Sequence, residues 1–139
     1  MALLATETLF NERQKMIRDL EWTFAQPLLP SPPGRFLDVG CGTGYQMARA
    51  QAMGFDVCGV DPQPNVHGVT GGAPSDMFPL IRQGTAQHLP CSDASFDVFF
   101  SSHALVELND VTPALREAHR VLKPDGRLVL VLSTSIMAW

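Results

Sequence analysis

Three glycines and an aspartate in the first half of the chain suggest chemistry by type and spacing. Gly40, Gly42 and Gly44 stand in "RFLDVGCGTGYQMARA", and Asp61 closes the next apolar run, "FDVCGVD". Glycine loses the most backbone freedom on folding. Three so close together mark a loop that lays bare backbone against a ligand. A loop between a strand and a helix lies at the carboxyl edge of a sheet, where open α/β folds bind ligands, and the helix that follows offers free N–H groups to an anion. A carboxylate at the end of the second strand can accept both hydroxyls of a ribose. The spacing here is G-x-G-x-G. Tyr45 fills the place of the third glycine of the dinucleotide pattern G-x-G-x-x-G, which disfavours a nicotinamide oxidoreductase.

The elements that must hold these residues can be read from the pattern. Thr6–Gln26 carries Leu9, Met16, Ile17, Leu20 and Phe24 at helical spacing and predicts an amphipathic helix with that stripe buried and Trp22 packed. The proline-rich "PLLPSPPG" ends it and forms a linker. Strands are expected at Arg35–Val39, Asp56–Val60, Leu80–Arg82, Phe96–Ser101 and Arg127–Leu132. Helices are expected at Gly44–Met53 and Thr112–Leu122, the latter with Thr112 as N-cap and Pro113 first in the helix. "KPDG" before the last strand reads as a turn. Apolar runs alternating with helices imply a parallel sheet covered on both faces, an α/β fold. Asp61–Pro79, rich in proline and glycine, predicts a long loop with one helical turn near Ser75–Phe78.

Bulk properties narrow the function. The 139 residues suit one domain behind an N-terminal segment, divided here as 1–30 and 31–139. A net charge of −4 disfavours nucleic acid as the main ligand. Cys41, Cys58 and Cys91 form no CxxC pair, and no His, Cys and carboxylate set has metal-ligand spacing. Neither a signal peptide nor an apolar run of membrane-spanning length is present, so a soluble cytoplasmic protein with no membrane insertion is expected.

"FLDVGCGTG", "VCGVDPQP", "GTAQHLPCSDASFDVFFSSHAL" and "HRVLKPDGRLVLV" resemble the successive motifs of class I S-adenosylmethionine-dependent methyltransferases, nearest the ubiquinone and menaquinone biosynthesis group. The resemblance implies a Rossmann-like three-layer αβα sandwich with a mostly parallel sheet. It also implies S-adenosylmethionine as cofactor and a small-molecule acceptor. Asp38 would brace the glycine loop near the methionine amino group, and Gly40, Cys41, Gly42 and Gly44 would line the methionine part. Asp61 would bind the ribose and Pro62 lie by the adenine. Thr85 and Ala86 would hold the adenine edge, with Thr85 where the family has aspartate. Ser101 and Ser102 would face the reactive end.

Two departures bear on activity. The segment after Asp61 does not suit the family's helix there, and the match stops after the fifth strand. The fold is therefore expected to be C-terminally shortened, either a piece of a longer protein or a reduced member, with weak or no activity of its own. A binding module for S-adenosylmethionine or a protein partner, without catalysis, is the alternative. A homodimer through the exposed sheet edge is a further expectation. Methyl transfer from a sulfonium needs alignment and a dry site more than a nucleophile. An acceptor that needs a base would find His103, Glu107 or His88, with His103 the catalytic candidate. His67 and His119 fall in the long loop and on a helix surface.

Overall fold

The computed structural model describes residues 2–64 and 75–132. The chain runs α1 (Ala2–Ala25), a 3-10 turn (Gln26–Leu28), β1 (Arg35–Val39), α2 (Tyr45–Met53) and β2 (Asp56–Asp61). After a 3-10 segment (Ser75–Leu80) come β3 (Ile81–Gln83), β4 (Phe96–Ser102), a 3-10 turn (Ala104–Glu107), α3 (Thr112–Val121) and β5 (Leu122–Val131). The sheet order is β3-β2-β1-β4-β5, and each neighbouring pair is parallel.

Strand parity sends alternate residues to opposite faces, and both faces are apolar. Phe36, Val57, Val98 and Phe100 meet Trp22 and Ala25 of α1 and Met47 and Ala50 of α2 on one side. Leu37, Val39, Val60 and Phe99 meet Ala118 and Val121 of α3 on the other. The result is a three-layer αβα sandwich. Trp22 sits edge-on to Phe36 and Phe100 at 6.4 and 6.0 Å between ring centroids, a packing residue as expected.

Three expectations need correction. The apolar stripe of α1 faces outward: Leu9, Met16, Leu20 and Phe24 are more than half exposed, and Trp22 and Ala25, on a different face, enter the core. Thr112 is the first helical residue of α3 and not its N-cap. Val111 holds that place, and Asp110 Oδ1 accepts the Thr112 N–H at 2.9 Å. "KPDG" lies inside β5 as a bulge: β4 advances from Phe96 to Val98 while its partner advances from Leu122 to Arg127. The helical turn expected near Ser75–Phe78 is the 3-10 segment Ser75–Leu80. The rest of that loop, 65–74 with His67, lies outside the described residues.

Candidate active site

The crossing from β1 to α2 is made by left-handed backbone. Gly40, Gly42 and Gly44 have φ of +76°, +55° and +86°. A Cβ on Gly40 would stand 2.3 Å from the Ala104 Cβ, and one on Gly44 would stand 3.0 Å from the Met77 Cβ. Gly42 differs: a Cβ there would meet nothing within 4 Å. Gly40 and Gly44 are therefore set by packing, whereas Gly42 borders open space.

The glycine loop and the end of β2 are tied together. Asp61 Oδ2 accepts the Gly42 N–H at 2.9 Å, and Oδ1 accepts the Gln63 N–H at 2.9 Å. The carboxylate thus stands on the same rim of the sheet as the glycine bend. Each of its oxygens keeps a further lone pair for a ligand.

Two cavities open at this rim. The first, of about 630 Å³, is lined by Gly40, Asp61, Pro62, Thr85, Ala86, Ser102 and His103, together with Val60, Gln63 and Glu107. The second, of about 520 Å³, lies between α1 and the glycine loop and is lined by Asp38, Gly40, Cys41, Gly42, Gln46, Ser102 and His103. Gly40, Ser102, His103 and Glu107 border both, so the cavities meet at the end of β4.

The remaining expected residues lie elsewhere. Ser101 is buried and lines neither cavity; its hydroxyl donates to Val39 O at 2.9 Å and braces β4 against β1. Gly44 also lines neither. His88 stands exposed on the loop after β3, bridged to Thr85, and His119 is exposed on α3.

The second cavity also has a wall that the sequence reading did not assign. Gln14, Arg18 and Glu21 of α1 line it, beside Ile17 of the apolar stripe. Their spacing of three, four and seven is itself the signature of one helix face, but a polar face is ordinarily assigned to solvent. Polar contacts hold α1 here. Tyr45 Oη donates to Asp19 Oδ1 at 2.6 Å, Arg49 pairs with the same carboxylate, and Gln46 Nε2 donates to Arg18 O at 3.1 Å. Glu21 reaches farther: Ser102 Oγ donates to its Oε2 at 3.0 Å, and His103 Nε2 meets its Oε1.

A buried carboxyl and an unpartnered buried amide oxygen suit this second cavity to a hydrogen-bond-donating ligand. Burial, aided by the charge of Asp61 and only partly opposed by Arg18, pushes the Asp38 carboxyl up to about 7. Among the described residues, Gln46 Oε1 is the one buried side-chain nitrogen or oxygen with no hydrogen-bond partner. Burial raises the Cys41 thiol well above its usual range, so Cys41 is a small apolar wall and not a nucleophile. Among the described residues no cluster of three or more His, Cys, Asp or Glu could hold a metal ion, and no helix is long and apolar enough to cross a membrane.

A sheet ordered 3-2-1-4-5 with a glycine bend and a strand-end carboxylate on one rim is the fold of a class I S-adenosylmethionine-dependent methyltransferase domain. The family profile described as a methyltransferase domain matches residues 37–130, and the chain belongs to that family. An uncharacterized methyltransferase of Mycobacterium tuberculosis is 39% identical over 107 residues, covering 77% of this chain and 43% of that protein. The ubiquinone/menaquinone biosynthesis C-methyltransferase of Rubrivivax gelatinosus is 35% identical over 116 residues, covering 84% of this chain and 45% of its own length. The crystal structure of an S-adenosylmethionine dependent methyltransferase from Mesorhizobium loti superposes with a TM-score of 0.66 at 29% identity, covering 79% of this chain and 51% of that one. The chain thus spans less than half the length of these two curated relatives.

Proposed function

We propose that this chain binds S-adenosylmethionine across the two joined cavities and serves methyl transfer to a small-molecule acceptor. The observation that supports this reading is the Asp61–Gly42 contact, which joins a carboxylate lining the first cavity to glycine backbone lining the second. In this reading the first cavity takes the adenosine: Asp61 holds the ribose, and Pro62, Thr85 and Ala86 flank the adenine. The second takes the methionine part and the acceptor.

The residues present fit that cofactor. Gly42 leaves open the space a side chain would fill, and Asp38 and Gln46 Oε1 supply acceptors for an ammonium group. The sulfonium supplies the methyl group and its own leaving group. What this chain contributes is alignment, exclusion of water by α1, and a place for a proton at His103. The transfer unit is assigned to 31–139, with residues 1–30 as a segment laid against it, in a cytoplasmic protein whose β5 edge pairs with a second copy.

Thermal melting tests the assignment. S-adenosylhomocysteine should stabilise the chain by about 2.7 kcal/mol at a hundredfold excess over its dissociation constant, and NAD should not. Stabilisation by NAD alone would end the methyltransferase reading.

A further inference from the structure

Glu21 is a carboxylate from the N-terminal helix that ends at the junction of the two cavities. Its side chain is only 13% exposed. It is committed to two partners on one segment, the Ser102 hydroxyl and the His103 ring. His103 is constrained as well. Its backbone is left-handed, with φ of +65°, a conformation that costs a residue with a Cβ and persists where surrounding structure enforces it. Its N–H donates to Val131 O at 2.9 Å, fixing the residue to the end of β5. An imidazole clamped at backbone and ring, on a site shared by both cavities, is placed for a reaction and not for packing.

Resting on the methyltransferase reading, we propose that Glu21 is the positioning residue and counter-charge of the transfer point. It holds His103 in the tautomer that carries its proton on Nε2, so Nδ1 is left free to take a proton from an acceptor O–H or N–H. The acceptor's oxygen or nitrogen gains the methyl and sheds its proton to Nδ1, while the carbon–sulfur bonding pair stays on a sulfur that becomes a neutral thioether. The positive charge that began on sulfur ends on the imidazole facing Glu21. The acceptor class is thereby an alcohol, phenol or amine, not a carbon that lacks an acidic proton.

Binding of two cofactor analogues tests this without an acceptor. Sinefungin carries an ammonium group in place of the transferred methyl, on a carbon that replaces the sulfur, and S-adenosylhomocysteine is uncharged there. By calorimetry, Glu21→Gln should weaken sinefungin about tenfold, as loss of a nearby unit charge implies, and leave S-adenosylhomocysteine within about twofold. Glu21→Asp, which keeps the charge, should retain most of the sinefungin preference. Nitrogen NMR of the unmodified chain at pH 8.5 should show the His103 proton on Nε2. The inference fails if Glu21→Gln weakens both analogues alike or neither, if Glu21→Asp behaves like Glu21→Gln, or if the proton sits on Nδ1. If the unmodified chain binds neither analogue, the methyltransferase reading itself fails.

Discussion

At the scale of single residues, the glycine bend separates folding from binding. Gly40 and Gly42 share left-handed backbone, yet only Gly40 is crowded, against the fixed methyl of Ala104. Gly40→Ala should therefore destabilise the chain by about 3 kcal/mol, from strain and overlap together. Gly42→Ala should cost about 1 kcal/mol in folding but place a methyl in the second cavity and sharply reduce S-adenosylhomocysteine affinity. Melts and calorimetry on the two variants check the contrast, and equal effects on folding would show that the Ala104 contact is not decisive. Asp38 gives a pH signature. Its carboxyl titrates near 7 in the folded chain and near 4 when unfolded, so between those values the folded state holds a proton the unfolded state has lost. The stability this gives is complete below pH 4 and declines as pH rises toward 7. Asp38→Asn should raise the melting temperature at pH 8 and flatten its fall between pH 5 and 8. Parallel slopes for variant and parent would remove Asp38 as the cause.

At the scale of elements, the helices decide what the site contains. α1 presents two stripes, and burial chose the smaller one. Trp22→Ala should cost about 3–5 kcal/mol, whereas Phe24→Ser, on the outward stripe and 72% exposed, should stay within about 0.5 kcal/mol. Comparable losses in denaturant titrations would mean that α1 packs the other way round. α3 secures the loop bearing Thr85 and Ala86. Glu117 accepts the Leu89 N–H, and Arg120 donates to Leu89 O, Cys91 O and Asp93. Its hydrogen bonds from Arg120 hold the Glu117 carboxyl down at about 2, so its stabilising effect is present above about pH 4.5 and is lost as pH falls toward 2. Arg120→Ala should cost about 2 kcal/mol and strand two backbone carbonyls. The ladder β1, β2, β4 was legible in the sequence because two-sided burial demands unbroken apolar runs, and the bend was legible because only glycine turns so tightly. The orientation of α1 was not. Periodicity reveals that stripes exist, but which one is covered depends on Phe36 and Phe100 offering their ring faces to Trp22. The same ambiguity hid Glu21, whose role exists only once α1 is laid across the end of β4. Ser101 and Ser102 were read together, yet strand parity turns one hydroxyl to Val39 and the other to the cavity.

At the scale of the whole molecule, β5 is an outer strand of the sheet among the described residues, and apolar surface continues to it. The outward stripe of α1 ends at Phe24. Leu28 follows, 58% exposed, and its carbonyl accepts from Arg127 at the centre of β5. Leu128 and Leu132 extend the patch, at 42% and 53% exposed. The edge is unevenly protected. Lys123, Asp125 and Arg127 charge its first half, as edge strands commonly require, but residues 128–131 are all Leu or Val. Pairing with a second copy should therefore use this apolar end, with the α1 stripe and Leu28 adding side-chain contact. Sedimentation equilibrium should show reversible, concentration-dependent dimers. Leu128→Lys should shift them toward monomer while changing the melting temperature of the dilute protein little, because that side chain is already half in water. A parent chain that stays monomeric at every concentration, or a variant that dimerises as well as the parent, would show that the β5 edge is not the contact.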